Sequence, residues 1–405
     1  MSQHFDVICV GGGAAGFFTA ITIAEKNPKL KIAILERGKD VLTKVRISGG
    51  GRCNVTHACF EPNELVKSYP RGEKELKGPF NQFCTGDTIE WFEKHGVELK
   101  IEEDGRMFPV TDSSQTIIDC FMHAASKSDI KVITGQSVQS IYQAADFWKI
   151  DTQHDKFTAT KLVLSTGSNP KMWDMIAGLG HSIIAPVPSL FTFNITDKRI
   201  KELPGVSALA TVKVKNTKLE ASGPLLVTHW GMSGPAILKL SAWGAPILAE
   251  KKYQFAISVN WLDNIDLAEA ENLLKSIKQE NSKKIISKKS PFDFPNRLWE
   301  KLVLAAEIGE DAKWADLSNK SMHFLAEQLT EGTYQVSGKS TFKDEFVTAG
   351  GIDLKEINFK TMQSKLHPNL FFAGEIVNID AVTGGFNFQN AWTSGFIVGN
   401  AMCNS

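Results

Sequence analysis

The sequence predicts an α/β fold: a doubly wound parallel-sheet domain for a dinucleotide, interrupted by an antiparallel β-rich domain and a small helical domain. Three observations predict it. A glycine-rich turn follows the first apolar stretch, residues 5–10. The same style returns near the other end, where the apolar run 369–373 leads into Gly374 and Glu375. Between them the hydrophobic period becomes two residues and then helical.

The run 5–10 reads as a buried strand and enters Gly11, Gly12, Gly13, Ala14, Ala15 and Gly16, a G-x-G-x-x-G that opens a helix. Gly11 permits the tight turn, Gly13 lets a pyrophosphate approach the backbone, and Gly16 lets the helix sit close on the sheet. The helix ends before Asn27 and Pro28 and aims its positive end at the phosphates. A strand over 32–35 then delivers Glu36, with Arg37 behind it. The Glu36 carboxylate can accept hydrogen bonds from ribose hydroxyls and would repel a 2′-phosphate, which selects FAD or NAD over NADP.

Lys44, Arg46 and Arg52 surround Ser48, Gly49, Gly50 and Gly51, with Cys53 and Asn54 following. A glycine inside a helix or strand costs about 1 kcal/mol relative to alanine. Three together imply close backbone approach, here to the pyrophosphate or the ribityl-flavin region. A flexible loop with solvated arginines is the alternative.

Alternation at Val97, Leu99 and Ile101, a turn at Asp104 and Gly105, and Met107, Phe108 and Val110 predict a hairpin. Asp112 with Gln115 predicts the cap of a helix through residue 125; His123 on that helix receives no role. Strands follow at 131–134, 147–151 and 162–165. The last ends in Thr166 and Gly167, where a doubly wound sheet leaves room for its ligand.

Around Pro186, Val187 and Pro188 the character changes. Val212 and Val214, then Tyr253, Phe255, Ile257 and Val259, alternate with polar residues and predict an antiparallel sheet with one wet face. Between them Thr228, His229, Trp230 and Gly231 precede Ser233, Gly234 and Pro235, a helix start able to face an anion or a carbonyl. His229 is either an acid there or a packed turn histidine. From Asp266 and Glu269, a capping box, the period turns helical, with further helices over 295–308 and 318–330. Lys283, Lys284, Lys288 and Lys289 between them read as a solvated loop, since a nucleic-acid patch interleaves aromatics. The expected divisions are 1–189 with 342–405 for the cofactor domain, 190–262 with 331–341 for the β-rich domain, and 263–330 for the helical one.

After Glu375 come Asp380, Gly384, Gly385, Phe386 and Asn387, and then a helix. Glycines ahead of a helix again make an amide-rich N-terminus. One ligand reached from both chain ends has to be long, which favours FAD.

Composition bounds the partners. Lys plus Arg and Asp plus Glu number 45 each among 405 residues, which disfavours nucleic acid of any kind and anionic membranes as partners. The six cysteines form no C-x-x-C pair, and the chain opens almost directly in a core strand. Both features read as a reducing cytoplasm. No apolar run approaches the ~18 residues that span a bilayer, so a soluble protein is expected. Neither a metal set nor a protein partner is evident.

The motifs resemble one family, the bacterial YhiN/BaiN-type flavoproteins. The similarity rests on residues 48–54, on Asp104-Gly105-Arg106 with Phe108-Pro109, and on Thr228-His229-Trp230-Gly231 with Ser233-Gly234-Pro235. It rests further on Thr348-Ala349-Gly350-Gly351, Thr361-Met362 with Ser364-Lys365, and Ala373-Gly374-Glu375 with Thr383-Gly384-Gly385. The departures are His57 and Ala381, where asparagine and glycine are expected. The resemblance implies a glutathione-reductase-type FAD domain interrupted by β-rich and helical domains. It implies flavin contacts by Glu36, residues 48–54, Glu375 and Gly384 to Asn387, and a backbone contact to adenine at Val138.

It further implies an FAD-dependent oxidoreductase that takes hydride from NAD(P)H and reduces a small organic substrate such as a conjugated enone. The alternatives are a tRNA-modifying flavoprotein and a flavin-binding sensor without enzymatic activity. Cys53 is the other weak catalytic candidate beside His229. It is not expected to be half of a redox disulfide, because Cys59 lies too far along the chain for a C-x-x-C pair. No second strand, glycine turn and helix unit lies between 151 and 345, so nicotinamide and substrate are expected to share one flavin face by ping-pong turnover.

Overall fold

The computed structural model describes residues 2–340 and 347–403; the boundary expected at 341–342 lies outside them. The chain forms two compact units, 1–187 with 343–405 and 188–342.

The first unit is built on β1 (Gln3–Val10), β2 (Ile32–Leu35), β3 (Lys131–Ile133), β4 (Lys156–Leu164) and β5 (Leu370–Phe372). They are parallel and stand in the order β5–β4–β1–β2–β3. Val7, Ile8, Cys9 and Val10 of the central strand are buried, as are all four residues of β2. This explains why these strands read as apolar runs rather than alternations. Short antiparallel strands extend the sheet at Ile357–Asn358 and Gln363–Ser364, and the pair Val138–Ala144 and Phe147–Thr152 joins at β4.

Two helices, α1 (Ala14–Lys26) and α2 (Phe386–Cys403), pack together without intervening side chains at two points. A Cβ at Gly395 would stand 3.0 Å from Thr19 Oγ1, and one at Gly399 would stand 2.4 Å from Thr22 Cγ2. Phe18 of α1 then meets Phe83, Trp91, Phe121 and Trp392 in one aromatic cluster. Two local expectations shift. The helix Ser114–Lys127 is capped by Ser113, not Asp112, because the Asp112 carboxylate is held by Lys100 and Arg52. The segment Thr43–Gly51 starts helically and breaks only at Ser48, Gly49 and Gly50.

In the second unit the antiparallel strands close into a barrel of Thr192–Ile195, Gly231–Ser233, Glu220–Thr228, Ser207–Val214, Gln254–Asn260 and Gly332–Ser340. Closure rests on pairing Phe193 with Lys339, a long-range contact that no local period announces, and it removes the sheet edges. The helices Leu267–Glu280, Asn296–Ala305 and Asn319–Thr330 share one hydrophobic core with the barrel, in which Val212, Ile257, Trp299 and Leu325 are buried. Among the described residues no helix is long and apolar enough to cross a membrane, and no three His, Cys, Asp or Glu side chains gather as a metal set.

Candidate active site

The carboxyl ends of β1, β2, β4 and β5 gather the glycine turns. At β1, Gly16 is locked by packing: a Cβ there would lie 2.0 Å from the Gly11 carbonyl oxygen. Gly13 differs, since nothing stands within 4 Å of where its Cβ would be. Gly13 is also the N-cap of α1 and supplies no side chain to cap its amides. The result is an open backbone surface at a positive helix end, the setting for a pyrophosphate. At β2, Glu36 is turned back onto this turn. Its Oε2 accepts from the Gly12 N–H at 2.8 Å and its Oε1 from the Gly38 N–H at 2.8 Å. Each oxygen keeps a further lone pair for a ribose hydroxyl. The Glu36 backbone carbonyl also receives the Gln136 N–H at 2.8 Å, which brings the start of Val138–Ala144 beside it.

At β4, Thr166 Oγ1 is buried without a partner, the kind of orphan that a bound ligand satisfies. Gly167 follows it, and its Cβ would stand 3.7 Å from Glu375 Oε2. At β5, Gly374 lies against Ala15 of α1, its N–H bonded to Ser394 Oγ at 2.9 Å. Glu375 next to it receives Lys44 Nζ at 2.6 Å. Gly11 to Gly16, Glu36, Lys44, Thr166, Gly167, Gly374 and Glu375 therefore form one locale, which fits an FAD pyrophosphate and adenosine.

A second cluster joins residues 48–54 to residues 380–387. Gly50 and Gly51 have open space where a Cβ would be, like Gly13. Asn54, with its amide oriented to satisfy the network, donates to Thr56 O and Met107 O and accepts from the Gly385 N–H at 3.0 Å. Gly385, at φ +96°, presses so close on Thr56 that a Cβ would lie 2.5 Å from its carbonyl oxygen. His57 Nδ1 lies 3.0 Å from the Gly384 carbonyl oxygen, and its ring stacks on Phe386 at 4.5 Å. Asn387 exchanges hydrogen bonds with the Ala381 backbone, N–H to Oδ1 at 3.0 Å and Nδ2 to O at 3.2 Å. Ala381 thus takes part in this network through its main chain.

The other predicted residues have these partners and surroundings. Asp380 is fully buried and forms a two-pronged ion pair with Arg71, 309 positions away. Arg52 pairs with Glu102 at 2.5 Å and lies over the Phe108 ring at 3.9 Å. Arg37 is exposed, and Val138 is buried two residues beyond Gln136. Cys53 is sealed, and burial pushes its thiol up to about 12, so it is a thiol and not a thiolate at neutral pH. His229 belongs to the second unit, exposed on the turn between two barrel strands.

Two residues, Arg71 and Asn378, were missed in the sequence, and Thr348 was named only as part of a motif. Arg71 carries no local signal. Thr348 Oγ1 and Asn378 Oδ1 are both buried without partners, and Asn378 donates its N–H to the Ile352 carbonyl at 3.1 Å. The double glycine after Thr348 was the available clue. A cleft of about 540 Å³ bordered by Lys26, Gln82, Lys360, Asn369 and Asn400 lies where β5 begins and α1 and α2 end. It is at the opposite end of the strands from the glycine turns.

Comparison with known proteins places this geometry. The model of the HI0933-like protein Rossmann domain matches residues 5–401. A ribosomal RNA dihydrouridine synthase of Escherichia coli is 27% identical over 403 residues, covering 97% of this chain and 96% of that protein. A 3-dehydro-bile acid delta(4,6)-reductase of Clostridium scindens is 23% identical over 403 residues, covering 97% of each. The solved 3-ketosteroid-delta4-(5alpha)-dehydrogenase of Rhodococcus jostii shares the fold, with a TM-score of 0.53 and 13% identity, covering 100% of this chain and 97% of that one. The chain belongs to the HI0933-like, YhiN/BaiN-type family of FAD-dependent Rossmann oxidoreductases.

Proposed function

We propose that this oxidoreductase saturates a carbon–carbon double bond conjugated to a carbonyl, with NAD(P)H as hydride source and a uridine of ribosomal RNA as substrate. One observation carries the reading. The two named relatives match the chain from end to end, and their names describe the same chemistry on different molecules. A dihydrouridine is a uridine whose ring double bond, conjugated to a ring carbonyl, has gained two hydrogens. A bile acid reductase name likewise describes double-bond reduction. The RNA reaction is named by the more similar of these two, 27% against 23% identical, which favours RNA over the small-molecule enone, even though a net charge of +0 supplies no long-range attraction.

FAD, when bound, supplies a two-electron hydride carrier. Gly11, Gly13, Ala14, Ala15 and Gly16 would hold its pyrophosphate through main-chain N–H groups, and Glu36 would hold the adenosine ribose. Arg37 and Val138 would flank the adenine. Lys44, Ser48 to Asn54, Thr166, Gly167, Gly374, Glu375 and Gly384 to Asn387 would line the flavin half, with Asp380 and Arg71 fixing the loop between them. The net reaction adds one hydride and one proton across the double bond and oxidises one dihydronicotinamide. Among its described residues the second unit is a barrel with helices and holds no second glycine-turn nucleotide unit, which supports nucleotide and substrate taking turns. Parallel double-reciprocal lines are expected, and intersecting lines would contradict this.

Nucleoside mass spectrometry of ribosomal RNA tests the substrate. Cells lacking the gene should lose a dihydrouridine that re-expression of wild type restores and Gly13→Val does not. An unchanged dihydrouridine content on deletion would overturn the RNA reading. Reduction of a small enone by the same purified protein would then favour the second reading.

A further inference from the structure

Among the described large apolar side chains, Leu209 and Trp230 are the most exposed, at 65% and 64%. Both stand on the barrel beside the strand Glu220–Thr228: Leu209 opposes Pro224, and Trp230 sits in the turn that follows Thr228. That turn is held on two sides. The Trp230 N–H donates to Thr228 Oγ1 at 3.3 Å, and its carbonyl accepts from the Ile195 N–H at 2.9 Å. Gly231, at φ +147°, lies so close to the next strand that a Cβ would be 2.2 Å from Phe193 O. With its backbone fixed, the turn keeps the indole and the neighbouring His229 in solvent.

The chain beyond Ile195 forms a loop that returns to the same hairpin, where the Gly205 N–H donates to Val227 O at 2.9 Å. Lys198 and Lys201 of this loop are exposed, whereas Arg199 between them is tied to Asp197 at 2.7 Å and to the Thr333 carbonyl. A protein partner or second copy would want a contiguous apolar patch of roughly several hundred Å². The hairpin presents a rigid indole next to an imidazole, and the loop tied to it at both ends carries two exposed cations, a set that matches single-stranded nucleic acid instead: bases stack on the ring, and phosphates meet the cations. The lysine loop near residue 284 lacks this interleaving.

We propose that the turn Thr228 to Gly231 is a base-stacking platform for single-stranded RNA. Trp230 takes a nucleobase on its face, and Lys198 and Lys201 meet flanking phosphates. This rests on the RNA reading above and adds the surface that performs it.

The test uses the purified holoprotein and fluorescence anisotropy of a short, uridine-rich RNA oligonucleotide across a salt series. Trp230→Leu should weaken binding about tenfold or more, with Trp230→Phe retaining most of it. Lys198→Gln with Lys201→Gln should reduce the salt slope by about 0.7 per lysine. Wild-type FAD content in each variant reports that the fold is kept. Absence of wild-type binding at low salt, wild-type affinity in Trp230→Leu, or an unchanged slope would each overturn the proposal. RNA bound through Trp230 without formation of dihydrouridine would remove the activity and leave the platform. Dihydrouridine formed equally by Trp230→Leu would do the reverse.

Discussion

The glycine turns of the first unit and the hairpin turn of the second are both tight, yet they present opposite kinds of surface. At Gly13, Gly50 and Gly51 the backbone itself faces open space. At Trp230 the carbonyl is bonded to Ile195, the next residue Gly231 is sealed against Phe193, and the indole faces outward. A cofactor common to many reactions can be held by main-chain N–H groups, which are indifferent to side chains. A substrate needs side chains that tell it from others. Sites of the first kind should therefore fail when a Cβ is added and tolerate side-chain truncation, and sites of the second kind should do the opposite.

The largest expected effect separates packing from binding within the first region. Gly16→Val places carbon 2.0 Å from Gly11 O and should leave no folded protein on purification. Gly13→Val meets nothing in the protein and should keep the wild-type circular dichroism while losing FAD on gel filtration. Equal behaviour of the two would break the comparison. Next comes Arg71→Met, which takes the guanidinium away from the buried Asp380 carboxylate. Removing one side of a buried pair costs about 3–5 kcal/mol, and denaturant unfolding should show it, with Asp380→Asn in the same chain recovering part.

A smaller effect is pH-dependent. His181 bridges Glu356 at 2.8 Å and Ser364 Oγ at 2.9 Å, and burial holds its pKa below the ordinary 6.5, against the opposing pull of Glu356. The folded state thus favours neutral imidazole. Its contribution is complete above about pH 6.5 and is lost as pH falls from there through the folded pKa. Burial raises the Glu356 pKa, but the Ser182 N–H and His181 outweigh it, so it ends below the ordinary 4.5, and its share is lost only further down. Thermal melts should show wild type losing more stability than His181→Gln between pH 7 and pH 5; equal losses would deny the role. The smallest effect is Cys53→Ala: the buried thiol is already protonated, so FAD content and turnover should stay near wild type. Turnover below about a tenth, with FAD still bound, would mean a redox or contact role for the sulfur.

Why the first region was legible and the second only partly so follows from sequence distance. Strand, turn, helix and Glu36 are neighbours in the chain, and each carries its own local signal. Barrel closure depends on pairing Phe193 with Lys339. The partner of Asp380 lies 309 positions away. Neither has a period or a motif. At Asp112 a correct local signal lost to a tertiary one, because Lys100 and Arg52 claim the carboxylate and Ser113 takes over the cap. Trp230 stood in plain view as part of a motif, but only its exposure on a fixed turn distinguishes a presented ring from a packed one.

The proposed passage of electrons from NAD(P)H through FAD to a uridine can be followed directly. Anaerobically reduced holoprotein, freed of nucleotide and mixed with ribosomal RNA lacking dihydrouridine, tests it in a single turnover. The account predicts that flavin absorbance returns in step with dihydrouridine, one formed per FAD reoxidised. Flavin that stays reduced in the presence of that RNA, or reoxidises without dihydrouridine, would contradict it.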